Sequence, residues 1–166
     1  MAVASPTHVR ITANVIRHLG NRLDGSDCLP YGSDLRIGIP LTSLYTYPDV
    51  AVVCGQLHFA DEHRDTVTNP ILIVEVLSDS TEAYDRGHKF EHYRTLPSLK
   101  HYVVVAQNAP LVDVFTRANG DEWALLPVRG LDAAARLDSL GVELPLREIY
   151  DRVEFTDAAP LKPIKA

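Results

Sequence analysis

Two short runs constrain this chain more than anything else in it: Val50-Ala51-Val52-Val53-Cys54 and Ile71-Leu72-Ile73-Val74-Glu75-Val76. Neither alternates apolar with polar, so neither fits a strand with one wet face. Each reads as a strand buried on both faces, and Tyr102 to Ala106 reads the same way. With 166 residues, 46% of them hydrophobic, the chain is long enough to bury such strands in one domain and short for two.

The flanking segments supply the other elements. A helix is expected over residues 8–23, where Val9, Ala13, Ile16, Gly20 and Leu23 recur at three- and four-residue steps. Thr7 would cap it and Asp24-Gly25 would end it. Leu35, Ile37 and Ile39 alternate as in a half-buried strand. A second helix is expected over 81–96, opened by a capping box of Asp79 and Glu82 and stopped at Pro97. Strands over 111–116 and 123–128 flank Asn119-Gly120, a hairpin signal. A short ordered stretch follows from Leu131 through Leu144-Pro145-Leu146 to a turn near 148–152. The expected class is α/β, a mixed sheet with two main helices rather than an alternating βαβ array. One domain is expected over 7–155, with loose termini at 1–6 and 156–166.

Composition narrows the function classes. Sixteen basic against 22 acidic side chains give a net charge of −6, which does not describe a polybasic nucleic-acid binder. An enzyme acting on nucleic acid through acidic metal ligands stays compatible with it. No apolar run reaches the roughly 20 residues of a membrane helix, and a secretory signal is not expected from the N-terminal residues. The two cysteines, Cys28 and Cys54, make neither a disulfide framework nor a four-cysteine zinc site, and Cys54 reads as a small buried apolar residue. A reducing, cytoplasmic setting is expected.

Two acids lie where strands should be apolar. Asp49 opens one strand behind Tyr47-Pro48, and Glu75 sits among Ile73, Val74, Val76 and Leu77. A buried carboxylate needs a partner, and two of them converging from neighbouring strands make a hard oxygen site suited to Mg²⁺. Asp49 is equally a turn residue after proline. Lys89, on the second helix, either reaches back to these acids or pairs with Asp85 at i, i+4. A different motif, His88-Lys89-Phe90-Glu91-His92, reads H-x-x-E-H, a zinc-hydrolase pattern that lacks an evident third ligand. Histidines on a partly exposed helix face account for it as well. No G-x-S-x-G, Walker or Rossmann pattern occurs.

Taken together, Tyr47-Pro48-Asp49-Val50-Ala51-Val52-Val53, Ile73-Val74-Glu75-Val76-Leu77-Ser78-Asp79-Ser80-Thr81, then Asp85, Lys89, Tyr93 and His101-Tyr102 resemble the Uma2 family of restriction-endonuclease-like proteins, over about residues 7–150. The resemblance implies the PD-(D/E)XK nuclease fold and a metal-dependent endonuclease acting on DNA. It implies Asp49 and Glu75 as metal ligands with the Val76 carbonyl beside them, Mg²⁺ as the ion and Mn²⁺ as its substitute. Lys89 would complete the catalytic set, because Leu77 occupies the usual lysine position two residues after the second acid. Tyr93 would pack beneath or orient Lys89. Asp34 matches the family pattern as a third acid or a turn residue, and Asp85 is a further auxiliary candidate. The family often carries Glu or Gln directly after the first-helix histidine; here that residue is Val9. A homodimer is expected, since enzymes that cut both strands commonly pair two sites. The rival readings are a non-catalytic DNA-binding or assembly module on the same fold, and a zinc hydrolase using His88 and His92.

Overall fold

The apolar runs do form the centre of a sheet. In a computed structural model that describes residues 4–78 and 87–155, β1 (Cys28–Tyr31), β4 (Val50–Cys54), β6 (Leu72–Val76), β7 (His101–Val105), β8 (Leu111–Arg117) and β9 (Trp123–Arg129) make one six-stranded sheet in the order β1-β4-β6-β7-β8-β9. All pairs are antiparallel except β6 with β7. That parallel step carries the chain over the sheet through α2 (His88–Tyr93), a mixed α/β design. β2 (Arg36–Ile39), β3 (Leu44–Thr46) and β5 (Thr66–Val67) form a small second sheet, and β10 (Ala134–Leu137) pairs with β11 (Val142–Pro145). No helix among the described residues is long and apolar enough to cross a membrane.

Alternation along β4 and β6 sorts their side chains into two cores. Val50, Val52, Leu72, Val74 and Val76 face α1 (Pro6–Leu23), β10–β11 and α3 (Leu146–Ile149). Ala51, Val53 and Ile73 face β2 and α2, where Phe90, Tyr93 and Tyr102 pack together. Every residue from Leu72 to Val76 is buried, Glu75 included.

The first helix differs from the expected one in start, cap and face. It begins at Pro6, and Ser5, not Thr7, caps it by accepting a hydrogen bond from the His8 N–H. The buried side is Ile11, Asn14, Val15, His18, Leu19 and Leu23, whereas Val9 is 57% exposed and Ala13 also faces solvent. The true face includes polar residues because the C-terminal segment needs them. Asn14 Nδ2 donates to the carbonyls of Ile149 and Asp151, and His18 lies 3.3 Å from Glu148, which also pairs with Arg22. An apolar-only pattern cannot anticipate such contacts. The second helix is described from His88 to Tyr93, and the 79–86 part of its expected start, with the Asp79–Glu82 capping box and Asp85, lies outside the described residues. The expected strand over 35–39 forms at Arg36–Ile39, and the β8–β9 hairpin turns at Asn119-Gly120, where Glu122 N–H bonds the Asn119 carbonyl.

The cysteines overturn the sequence expectation. Cys28 on β1 and Cys54 on β4 stand directly opposite each other and form a disulfide. The neighbouring pair, Gly55 N–H to the Asp27 carbonyl, is a hydrogen-bonded one, so Cys28 and Cys54 occupy a non-hydrogen-bonded position, where facing side chains come closest. Which residues face each other is a matter of register, and the count of cysteines carries no information about it. With the two 26 positions apart in sequence, reduction is expected to lower stability by about 3 kcal/mol through the freed chain entropy. Urea melts with and without reductant measure this, and a Cys28→Ser/Cys54→Ser double variant should lose all sensitivity to reductant.

A second expectation concerns His101, wholly buried at the start of β7. Its Nε2 accepts the Ser139 N–H, so the proton sits on Nδ1, facing Thr116 Oγ1 at 3.2 Å. Burial lowers its pKa below the ordinary 6.5. The unfolded chain therefore takes up a proton that the folded one refuses. Stability is expected to fall as pH drops below about 6.5 and to level off below the folded pKa. Thermal melts across pH 7.5–4.5 should show a shallower acid loss for His101→Gln than for the parent, once both are referred to their neutral-pH stabilities.

Candidate functional site

A carboxylate in the middle of a sheet must be solvated by the protein itself. Glu75, 3% exposed on β6, is held by two groups from α2: Lys89 Nζ at 3.2 Å and Tyr93 Oη at 3.0 Å, both on Oε1. Strand alternation puts Glu75 on the α2 side of the sheet, in line with Ile73 and Leu77. Lys89 and Tyr93 are four residues apart on α2, so both lie on the helix face turned to that carboxylate. Lys89 thus reaches Glu75, while its sequence-based alternative partner, Asp85, lies outside the described residues.

Tyr93 also bonds the carboxylate itself: its hydroxyl donates to Glu75 Oε1 and lies 3.1 Å from Thr46 Oγ1 on β3. Burial first, and then the nearby Glu75 charge, push its pKa well above 10.0, so it remains a phenol. A phenol has one hydrogen to give. With that hydrogen on Glu75, the Thr46 hydroxyl must donate to Tyr93. The result is a one-way chain, Thr46 to Tyr93 to Glu75, linking the small sheet, α2 and the main sheet.

Asp49 immediately precedes β4. The β4–β6 register ends with Val50 opposite Val74, so Asp49 precedes that pair on one strand as Glu75 follows it on the other. Asp49 Oδ2 accepts the Val76 N–H at 2.7 Å. In an extended strand the N–H and C=O of one residue point to the same side, so the Val76 carbonyl is directed past the start of β4, toward Asp49. The next residue points the other way: Leu77 N–H bonds Val105 on β7.

His8 is the group that sequence reasoning missed. Its Nε2 lies 3.2 Å from both carboxylate oxygens of Asp49. The helix position after it, Val9, faces solvent, so α1 presents a histidine to the site where an acid was sought. The signal available was its place in the first turn of α1, but only the packing of α1 across the sheet brings it to Asp49. Asp34 is exposed in the turn between β1 and β2. His88 is exposed and His92 half-buried on α2, and among the described residues neither belongs to a cluster of three metal-ligating side chains. The cluster that does exist, Asp27 with Cys28 and Cys54, surrounds the disulfide.

Asp49, Glu75 and the Val76 carbonyl offer oxygen atoms, the ligands that hard cations such as Mg²⁺ and Mn²⁺ take, and His8 Nε2 stands beside the Asp49 oxygens. Removing the phenol hydrogen should loosen the site: Tyr93→Phe is expected to cost about 1–3 kcal/mol, because Glu75 loses a buried donor and Thr46 an acceptor. Chemical denaturation of the variant beside a Thr46→Val variant checks this, with the double variant expected to cost less than the sum of the two.

Comparison with known proteins points the same way. The model of the Uma2 family, described as "Putative restriction endonuclease", matches residues 1–147. An uncharacterised protein of Synechocystis sp. (strain ATCC 27184 / PCC 6803 / Kazusa) is 36% identical over 157 residues, covering 93% of this chain and 80% of that protein. A second from the same organism is 35% identical over 133 residues, covering 80% and 75%. Among solved structures, a protein described as a "putative nuclease belonging to DUF820" from Anabaena variabilis superposes with a TM-score of 0.74 over 90% of this chain and 83% of that one, at 13% identity. At that identity the likeness is one of fold.

Proposed function

The chain belongs to the Uma2 family and has a restriction-endonuclease-like fold, and from that premise we propose that it is a metal-dependent nuclease hydrolysing phosphodiester bonds in DNA. The observation that carries the reading is a buried strand carboxylate, Glu75, held by Lys89, with the next residue's N–H, that of Val76, bonded to Asp49 Oδ2. Asp49, Glu75 and the Val76 carbonyl would hold one Mg²⁺. Such an ion lowers the pKa of a bound water and polarises a phosphate oxygen.

The protein's own groups divide the remaining work. Lys89 contacts Glu75, and its ammonium would offset negative charge building up on the phosphorus-bound oxygens. Tyr93 fixes Glu75 Oε1, leaving the carboxylate a single orientation. His8 and the Val76 N–H do the same for Asp49. Both acids are thus oriented before any substrate arrives, which spares the reaction that ordering cost.

Cleavage of DNA in Mg²⁺ or Mn²⁺ is expected to fall about 10²–10³-fold or more in Asp49→Asn and in Glu75→Gln, and to stop when the metal is chelated. Calorimetric titration with Mn²⁺ should show one site in the parent that Asp49→Asn loses. Lys89→Ala should also lose cleavage, and it will melt lower because it leaves the buried Glu75 charge short of a partner; its assay belongs below its own melting range. Parent-level cleavage by Asp49→Asn would end the proposal. A parent that cleaves no DNA and binds no Mn²⁺ would turn it toward a non-catalytic binding module.

A further inference from the structure

Seven large hydrophobic side chains are exposed among the described residues, and three of them, Leu41, Tyr45 and Tyr47, fall within seven positions on and beside β3. The two tyrosines, 61% and 56% exposed, are the only aromatic members of that set. They flank Thr46 on the strand, so alternation turns both rings outward, about 7 Å apart, while Thr46 points inward to Tyr93. That inward bond ties the strand to Glu75, and Tyr47 is separated from Asp49 by Pro48 alone. The rings therefore stand at a fixed place beside the carboxylates.

The surroundings of the rings carry arginine, and Arg36 engages both of them. Tyr45 faces Gly38 on β2, and a side chain there would meet the Tyr45 ring at 3.7 Å and Thr66 at 2.7 Å. Without one, a pocket of about 190 Å³ opens beside Gly38, Ser43, Leu44, Tyr45 and Ala60. The Arg36 guanidinium lies 5.3 Å from the Tyr45 ring centre, held there by Thr66 and Asp65. On the neighbouring segment Arg64 lies 4.7 Å from the Phe59 ring centre, and Phe59 bridges to β5 of the same small sheet.

We infer that the outer face of β2–β3 is a stacking platform on which unpaired bases of a nucleic-acid strand rest against Tyr45 and Tyr47, beside the carboxylate site. Planar rings that are more than half exposed attract base faces, and a base offers its face only when it is unpaired. Arginine beside each aromatic group supplies cations for the phosphates and, with Asp65 taking up part of that charge at Arg36, does not make the patch strongly basic. With a net charge of −6 on the whole chain, affinity would come from stacking more than from counterion release. The inference rests on the nuclease reading and refines its substrate to strands with unpaired bases.

Fluorescence anisotropy with a labelled 20-nucleotide single strand and its duplex, in EDTA so that no cleavage intervenes, tests it. The parent should prefer the single strand and lose less than tenfold in affinity between about 50 and 200 mM salt, where a binder with many phosphate contacts loses about 10³ or more. Tyr45→Ala and Tyr47→Ala should each weaken binding roughly 5- to 150-fold, the usual range for one stacked base, with unchanged thermal midpoints. Tyr→Phe at either position should bind within about twofold of the parent, since the stacking face is retained. Alanine variants that bind like the parent, a preference for duplex, or no binding at all would each overturn the platform. So would a parent dimer that the alanine variants convert to monomer without loss of DNA affinity, because the surface would then be a subunit interface. Tyrosine-dependent binding with no metal-dependent cleavage would sink the nuclease reading and leave the platform standing; Asp49-dependent cleavage with tyrosine-independent binding would do the reverse.

Discussion

One buried carboxylate sets the terms for this structure. Glu75 interrupts a strand whose every other described position is apolar and buried, on the sheet face that packs against α2. Leaving such a charge unsolvated would cost more than the net stability of a domain this size supplies. The protein answers with a lysine and a phenol four residues apart on one short helix, and anchors the phenol to a third element through Thr46. Three separate pieces of the fold are thereby held in one register. That is costly as architecture and useful as chemistry, because a carboxylate oriented in this way needs no reorganisation to meet a cation.

The same logic explains the other polar inclusions. Asn14 and His18 lie on the buried side of α1 because α3 and the turn after it present carbonyls and Glu148 to that side. Tyr150 is buried with its hydroxyl 2.8 Å from the Ala106 carbonyl, beyond the end of β7. Burial raises its pKa, so it too remains an uncharged donor. In each case the polar atom closes a gap between elements distant in sequence. These residues serve the docking of the C-terminal segment, and none of them touches Asp49 or Glu75 in the described contacts.

Fold and function stand on different footings. The family match spans most of the chain, and the superposition on the Anabaena protein holds over nine-tenths of it despite 13% identity. Such agreement shows a shared arrangement of strands and helices, which many chemistries can use. The proposal of hydrolysis rests on the site itself: Asp49 on the Val76 N–H, Glu75 one residue before it, and Lys89 on Glu75.

Much of this was legible in the chain. Runs of Val and Ile too continuous for a half-wet strand identify β4, β6 and β7, and an acid inside one of them marks a site, because apolar burial and charge burial have opposite energetic signs. The hairpin at Asn119-Gly120 is legible because its backbone conformation is local. What was not legible depends on register and docking. The facing of Cys28 and Cys54, the approach of His8 to Asp49, and the turning of Tyr93 toward Glu75 all join residues 18 or more positions apart. The polar face of α1 was misread for the same reason: its apolar residues admit more than one stripe, and only the carbonyls of Ile149 and Asp151 select the stripe that contains Asn14. Local sequence determines which segments must be buried and which residues would be expensive to bury. Tertiary structure decides who answers that expense, because a hydrogen bond is short and directional, and its partner is chosen by where the elements finally pack.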